Sequence, residues 1–280
     1  RPVMIRGLDG HGGWVSTAGL ERLLSLEELP QDLREFLRSK GENKPLHILE
    51  DAYFKCLEII PGALDKHSPE TLIEQVGLLL AEGITTFHEA MVEEEDIPIW
   101  EQLFESFASE QTGRMHGMLH ARPGDWAWLK KRKPRFAQFD GRLSLGCIKV
   151  FLDGSLGSGT AWMHPDSPAP AMPPDELAEI CRFALAEGFQ MAVHAIGHQA
   201  VRKALDIMEE IRPRLATPYQ SFTPVWRIEH AEFVEPEDIQ RAASMGVVLS
   251  VQPLHLPMDA PLLLREMSIS GIHIDSIFSI

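Results

Sequence analysis

Cysteine is scarce in this 280-residue chain: three in all, Cys56, Cys147 and Cys181, an odd number with no CxxC spacing and with apolar neighbours. A disulfide framework is therefore not expected; buried, inert thiols in a reducing, cytoplasmic setting are. Positive charge is also in short supply, with 26 Lys and Arg against 41 Asp and Glu and a formal net charge of −15. Such a balance repels phosphate backbones and anionic lipid, so neither nucleic acid nor a membrane surface is expected as a partner. Every apolar run falls short of the ~18 residues that suggest a bilayer span. Arg1-Pro2-Val3-Met4 lacks the layout of a secretory signal. What is present suffices for a sizeable core: 44% hydrophobic residues, with 13 Phe and 6 Trp, argue against disorder.

The length admits two ordinary domains or one large α/β barrel. Short β-type runs at 84–88, 114–120, 145–152, 189–195, 225–230 and 247–251 alternate with helical patterns at 72–81, 99–107, 174–186, 200–211 and 236–245. Gly83, Gly188 and Gly246 stand where three of those helices should stop. Units of about 30 residues without a Gly-rich dinucleotide fingerprint predict a (β/α)8 TIM-type barrel rather than a doubly wound sheet. Only six βα units are found, so the barrel is expected to be incomplete. Residues 1–70 are less regular, with a strand at 3–8, a helical pair across 23–39 and a polar break at 41–45. They are expected to form a partial accessory region leading into a barrel spanning 71–280. The charged runs 93–96 and 130–133 are expected to be solvated faces.

Barrel active sites sit at the C-terminal ends of strands. The polar residues at those ends are His88, His120, Lys149 with Asp153, His194, His230, and His255 just past the last. Any one histidine alone could be a satisfied interior residue. Several sharing one mouth with an intrastrand lysine favour a metal site, since neutral imidazole is a common ligand for borderline cations. Lys149 lies among Cys147, Ile148, Val150 and Phe151, where an unpaired ammonium is costly. Snorkelling or a salt bridge would satisfy it; so would loss of its proton and carboxylation by carbon dioxide to an anionic bridging ligand. His194 and His198 are spaced i, i+4, but Gly197 interrupts, so His194 is expected to end a strand and His198 to sit in the following turn. The Gly-rich stretch 153–159 lacks the Gly-Lys-Ser/Thr ending of a nucleotide loop. Neither a Gly-x-Ser-x-Gly elbow nor a His-Glu-x-x-His motif is present.

Four stretches in order are more specific: Ile148-Lys149-Val150-Phe151-Leu152-Asp153-Gly154-Ser155-Leu156-Gly157-Ser158, Val193-His194-Ala195-Ile196-Gly197, Arg227-Ile228-Glu229-His230-Ala231 and Ser250-Val251-Gln252-Pro253. Together with Arg1-Pro2-Val3, Asp9-Gly10-His11, Trp14-Val15 and Gly83-Ile84-Thr85-Thr86-Phe87-His88, they resemble the amidohydrolase superfamily, in particular its YtcJ-like branch, the amidohydrolase 3 group. The resemblance runs to about Pro253. It implies a metal-dependent hydrolase on a (β/α)8 barrel that uses metal-activated water on a carbon–nitrogen bond, other than a peptide bond, in a small amide or cyclic amide. A divalent metal is implied, zinc before iron, manganese or nickel. Carried over residue by residue, Lys149 would be the bridging ligand, carboxylated, with His194 and His230 as imidazole ligands. His11, Asp153 and His198 would lie near the substrate, and no catalytic acid or base is assigned.

Three departures bear on this expectation. No His-x-His pair precedes Arg1, no Gly-Ser-Asp occurs in the tail 267–280, and His198 stands where the branch usually has an acidic residue. The first two correspond to strands one and eight of the implied barrel. The chain, which also opens without an initiator Met, is thus expected to be an internal segment of such an enzyme with little activity of its own. The alternative is a non-catalytic barrel descendant acting as a binding or scaffold protein. In either case the tail or the strand near Val3 is expected to cover the exposed sheet edges.

Overall fold

The computed structural model describes residues 1–7, 10–40, 44–60, 68–167, 170–211 and 225–270. They fall into two compact units, one of residues 1–66 with 154–160 and one of residues 67–153 with 161–280.

In the first unit, β1 (Met4–Arg6), β2 (Gly12–Val15) and β3 (Leu46–Leu49) form an antiparallel sheet in that order. Helices Thr17–Leu24 and Gln31–Lys40 carry leucines at i, i+3 and i, i+4 spacing, which places Leu20, Leu23, Leu33 and Leu37 in one core with Ile48, Tyr53 and Cys56. Ser16 caps the first of these helices by accepting from the Gly19 amide. The strand expected at 3–8 is therefore β1, and its partner is β2. It does not extend the larger sheet. The expected polar break at 41–45 lies partly outside the described residues.

In the second unit, β4 (Thr86–Val92), β5 (Arg114–His120), β6 (Arg135–Ala137), β7 (Leu143–Phe151), β8 (Gln190–Ala195), β9 (Trp226–His230) and β10 (Val248–Ser250) form one sheet. Its order is β10-β9-β8-β7-β5-β4, parallel throughout, with β6 antiparallel beside β7. All six expected βα strands are present and adjacent in chain order. Helices Pro174–Glu187 and Pro236–Met245 begin with Pro and acidic residues and end at Gly188 (φ 84) and Gly246 (φ 65), where a left-handed backbone suits glycine. Between sheet and helices, Ile148, Val150, Val193 and Ile228 pack with Leu177, Ile180, Val201 and Leu205.

The sheet is curled. β4 and β9 stand four strand spacings apart in sheet order, which in a flat sheet would be about 19 Å. Yet the Arg227 guanidinium on β9 lies 3.2 Å from Nδ1 of His88 on β4. A parallel sheet curled so far is the wall of a (β/α)8-type barrel over six of its units.

Two expectations change here. β4 continues through a bulge to Val92, so His88 lies within the strand and not at its end. Residues 255–270 form a helix, so that part of the tail covers no sheet edge as a strand, and 271–280 lie outside the described residues. Cys56, Cys147 and Cys181 are all buried and free. Among the described residues, no helix is long and apolar enough to cross a membrane.

Candidate metal centre

Parallel register aligns His120, Lys149, Ala192 and Arg227 in one row across the sheet, and Phe151, His194, Glu229 and Ser250 in the next. The two rows are two residues apart along each strand, so they share the concave face. Toward the N-terminal ends, Met118, Cys147 and Ala192 form an apolar floor. Lys149 is 2% exposed, and its ammonium nitrogen lies 3.6 Å from the centroid of the Phe151 ring. Burial pushes this amine down to about 8, offset only in part by the Glu229 carboxylate. The Phe151 ring in turn lies 4.9 Å from that of His194.

His230 reaches the same place by a different route. Glu229 faces the concave side, so strict alternation would turn His230 toward the helices. Instead, His230 (φ 74) and Ala231 (φ 48) adopt the left-handed region, uncommon for residues with a Cβ and a mark of local strain. The result is an edge-on contact of the His230 and His194 rings at 4.4 Å. His230 Nδ1 is 2.7 Å from Gln252 Oε1, while the Gln252 amide nitrogen donates to the Ser250 carbonyl at 3.0 Å. The amide oxygen therefore faces His230, Nδ1 carries the proton, and Nε2 keeps its lone pair. Burial pushes His230 down to about 4, so the ring is neutral at neutral pH, as a metal ligand must be.

Asp153, 1% exposed, holds the backbone around these groups. Its Oδ1 accepts from the Ile196 amide at 3.0 Å, and its Oδ2 accepts from those of Gly197 and Trp162 at 2.9 Å each. The His194 Nε2 lies 3.6 Å from Oδ1. Gly197 is required for this approach, since a Cβ there would lie 2.2 Å from the Trp162 carbonyl oxygen. His198 is the first residue of helix His198–Ile211, not part of a turn, and its ring meets that of His164 edge-on at 5.6 Å. Burial lowers its pKa from the ordinary value. His11 belongs to the first unit, where its Nδ1 lies 3.1 Å from Glu50 Oε2. The fold thus brings Lys149, His194 and His230 together, sets Asp153 against His194, and gives His11 and His198 other partners.

Several residues on this face escape sequence reasoning. Glu229 lies in the row of His194, with Arg227 Nε at 2.5 Å. Glu93, expected in a solvated run, is 2.8 Å from His120 Nδ1 and 3.0 Å from Arg122 Nη2. Burial raises its pKa, but His120 and Arg122 outweigh that and hold the carboxyl below its ordinary value. Glu232, 1% exposed, places Oε1 2.6 Å from His255 Nδ1, and burial pushes this carboxyl up. The His255 ring stacks on His230 at 5.4 Å. Histidine at strand ends was a usable signal for His255; Glu232 had none, because it lies beyond β9 in a turn of unusual backbone. The chemistry fits a divalent cation: His230 is a half-buried neutral imidazole with an uncommitted lone pair, beside a second imidazole and an amine that burial pushes toward its neutral form.

The model of the Amidohydrolase family matches residues 1–273. The Bacillus subtilis (strain 168) protein named "Putative amidohydrolase YtcJ" is 27% identical over 273 residues, covering 93% of this chain and 49% of that protein. Protein LONG AFTER FAR-RED 3 of Arabidopsis thaliana is 37% identical over 125 residues, 42% of this chain and 21% of that one. The crystal structure of an uncharacterized metal-dependent hydrolase from Pyrococcus horikoshii OT3 superposes with a TM-score of 0.70 at 24% identity, covering 99% of this chain and 53% of that one. A second such hydrolase, from Pyrococcus furiosus, gives 0.65 at 24% identity, over 92% and 52%. The chain spans about half the length of YtcJ and of both solved structures. With six consecutive βα units and a family model matched over 1–273, the chain belongs to the amidohydrolase family.

Proposed function

We propose that this chain carries part of the cation centre of a metal-dependent hydrolase, with Lys149, His194 and His230 as ligands, acting on the carbon–nitrogen bond of a small amide or cyclic amide. The observation that carries this is the convergence of a buried lysine, the buried His194 and the half-buried His230 on the concave face of a barrel-type sheet. Family membership supports the hydrolase class. A bound divalent metal, zinc by its preference for nitrogen and carboxylate donors, supplies a Lewis acid and lowers the pKa of water.

The chain's own residues do the rest. With its pKa near 8, the Lys149 amine has a substantial neutral fraction close to neutral pH. Its nitrogen can then form a bond to the carbon of carbon dioxide and release one proton, giving a carbamate whose negative charge suits a bridging position. Gln252 keeps the His230 proton on Nδ1, away from the ligand lone pair. Asp153 fixes the backbone beside His194, and we assign it, with His198, to substrate positioning. A net charge of −15 suits a small neutral substrate better than nucleic acid or an anionic membrane, and three free cysteines suit the cytoplasm.

The test is zinc titration of the protein in bicarbonate buffer, with hydrolysis of a panel of N-formyl and N-acetyl amines followed alongside. K149A, H194A and H230A are each expected to lose the bicarbonate-dependent part of zinc binding and any turnover. Three variants that bind zinc and turn over substrate like the parent would overturn the assignment. Tight zinc binding without turnover of any amide would favour a binding or scaffold role.

A further inference from the structure

We propose that His230, Glu232 and His255 form a second divalent-cation site, complete within this chain and independent of Lys149 and His194. One donor atom from each of the three lies within 4.8 Å of the others. Two imidazoles and a carboxylate form a donor set that suits zinc. Bonds of about 2.0–2.2 Å would bring tetrahedral donors about 3.4 Å apart, so side-chain adjustments of about an ångström close the site.

Three further features point the same way. Glu232 is 1% exposed, and its Oε2 is buried with no hydrogen-bond partner among the described residues, although Oε1 meets His255. A buried carboxylate oxygen without a donor is costly, and a cation would satisfy it. His255, whose side chain is 35% exposed, gives the site a way in from solvent. Finally, all three ligands come from the ends of two neighbouring strands, β9 and β10, and the segments that follow them.

His230 has one lone pair to give, because Nδ1 is committed to Gln252. A cation at this site and one at Lys149 and His194 therefore compete for the same ring nitrogen. The two differ in their need for carbon dioxide. Lys149 becomes an anionic ligand only after carboxylation, whereas His230, Glu232 and His255 are ligands as they stand. The second site shares a residue with the proposed hydrolase centre but does not rest on that reading.

Cobalt(II) titration of the metal-free protein in carbon-dioxide-free buffer, followed by visible absorption, separates the two. Saturable binding is expected in the parent, weakened by at least about tenfold in E232Q and H255Q, as loss of a ligand should cost no less than loss of its outer-shell partner. K149A and H194A should leave it unchanged. Binding unaffected by E232Q and H255Q, or abolished by K149A, would overturn the proposal. Should the variants fail to fold, 15N NMR of histidine-labelled parent protein gives the same answer with zinc. Shifts at His230 and His255 but not His194 support the site, and a shift at His194 with none at His255 refutes it. Neither outcome touches the bicarbonate-dependent result that tests the hydrolase centre.

Discussion

His230 and Gln252 meet at 2.7 Å, and that single contact decides which imidazole nitrogen is available to a metal. Gln252 is itself held by the Ser250 carbonyl, so its oxygen cannot turn away without losing a bond. Outer-shell partners of this kind typically contribute about 10–100-fold to metal affinity by fixing tautomer and ring orientation. Gln252→Leu is expected to weaken zinc binding by that order while leaving the fold intact. Zinc titration and a thermal melt check it, and an affinity equal to the parent's would show that burial alone sets the tautomer.

Lys149 should leave a signature in the pH dependence of stability. Its pKa falls from 10.5 in the unfolded chain to about 8 in the folded one. Between those values the unfolded chain binds more protons, so stability rises with pH across the window, and below it the full cost of burying the ammonium, about 3 kcal/mol, applies. In metal-free protein, K149M should abolish this rise and be the more stable of the two at neutral pH. Urea unfolding at several pH values compares them; a parent that loses stability relative to K149M as pH rises from 8 would contradict the assignment.

Asp153 accepts from three backbone amides, those of Trp162, Ile196 and Gly197. An asparagine there would aim an NH2 group at one or more of these donors. D153N is expected to cost about 1–3 kcal/mol, the penalty of a buried donor left unsatisfied. The denaturation midpoint measures it. A midpoint equal to the parent's would mean that the loop finds other acceptors.

The three thiols should be inert in the native state. Burial pushes Cys56 up to about 11 and Cys147 and Cys181 up to about 12, so little thiolate forms at mildly alkaline pH. Ellman's reagent is expected to react with the cysteines only after denaturant is added. Prompt labelling of the folded protein would reveal an opening that exposes at least one of them.

Much of the scaffold was legible because it obeys local rules. The run around Lys149 reads as a buried strand, the Pro and Gly at the ends of Pro236–Met245 mark a helix, and six such βα units at regular intervals already imply a parallel barrel wall. Lys149, His194 and His230 stood out as polar groups within or at the ends of apolar runs. Those features depend on periods of two and 3.6 residues and on capping, all of which lie within short windows of chain.

Only the tertiary structure decided which side chains meet. His88 looked like a strand end because the signal faded at Glu89, yet pairing with β5 carries β4 on to Val92 and leaves Glu93 to bind His120. Met4–Arg6 reads as a strand either way, and only its pairing with Gly12–Val15 assigns it to the small sheet. His230 joins His194 through two left-handed residues that no periodicity predicts, and Glu232 finds His255 across the gap between two strands. Local sequence determined the elements of this protein, because strands and helices are set by neighbours in the chain. Its site was decided by sheet curl and by backbone turns, because those bring together residues that the chain keeps apart.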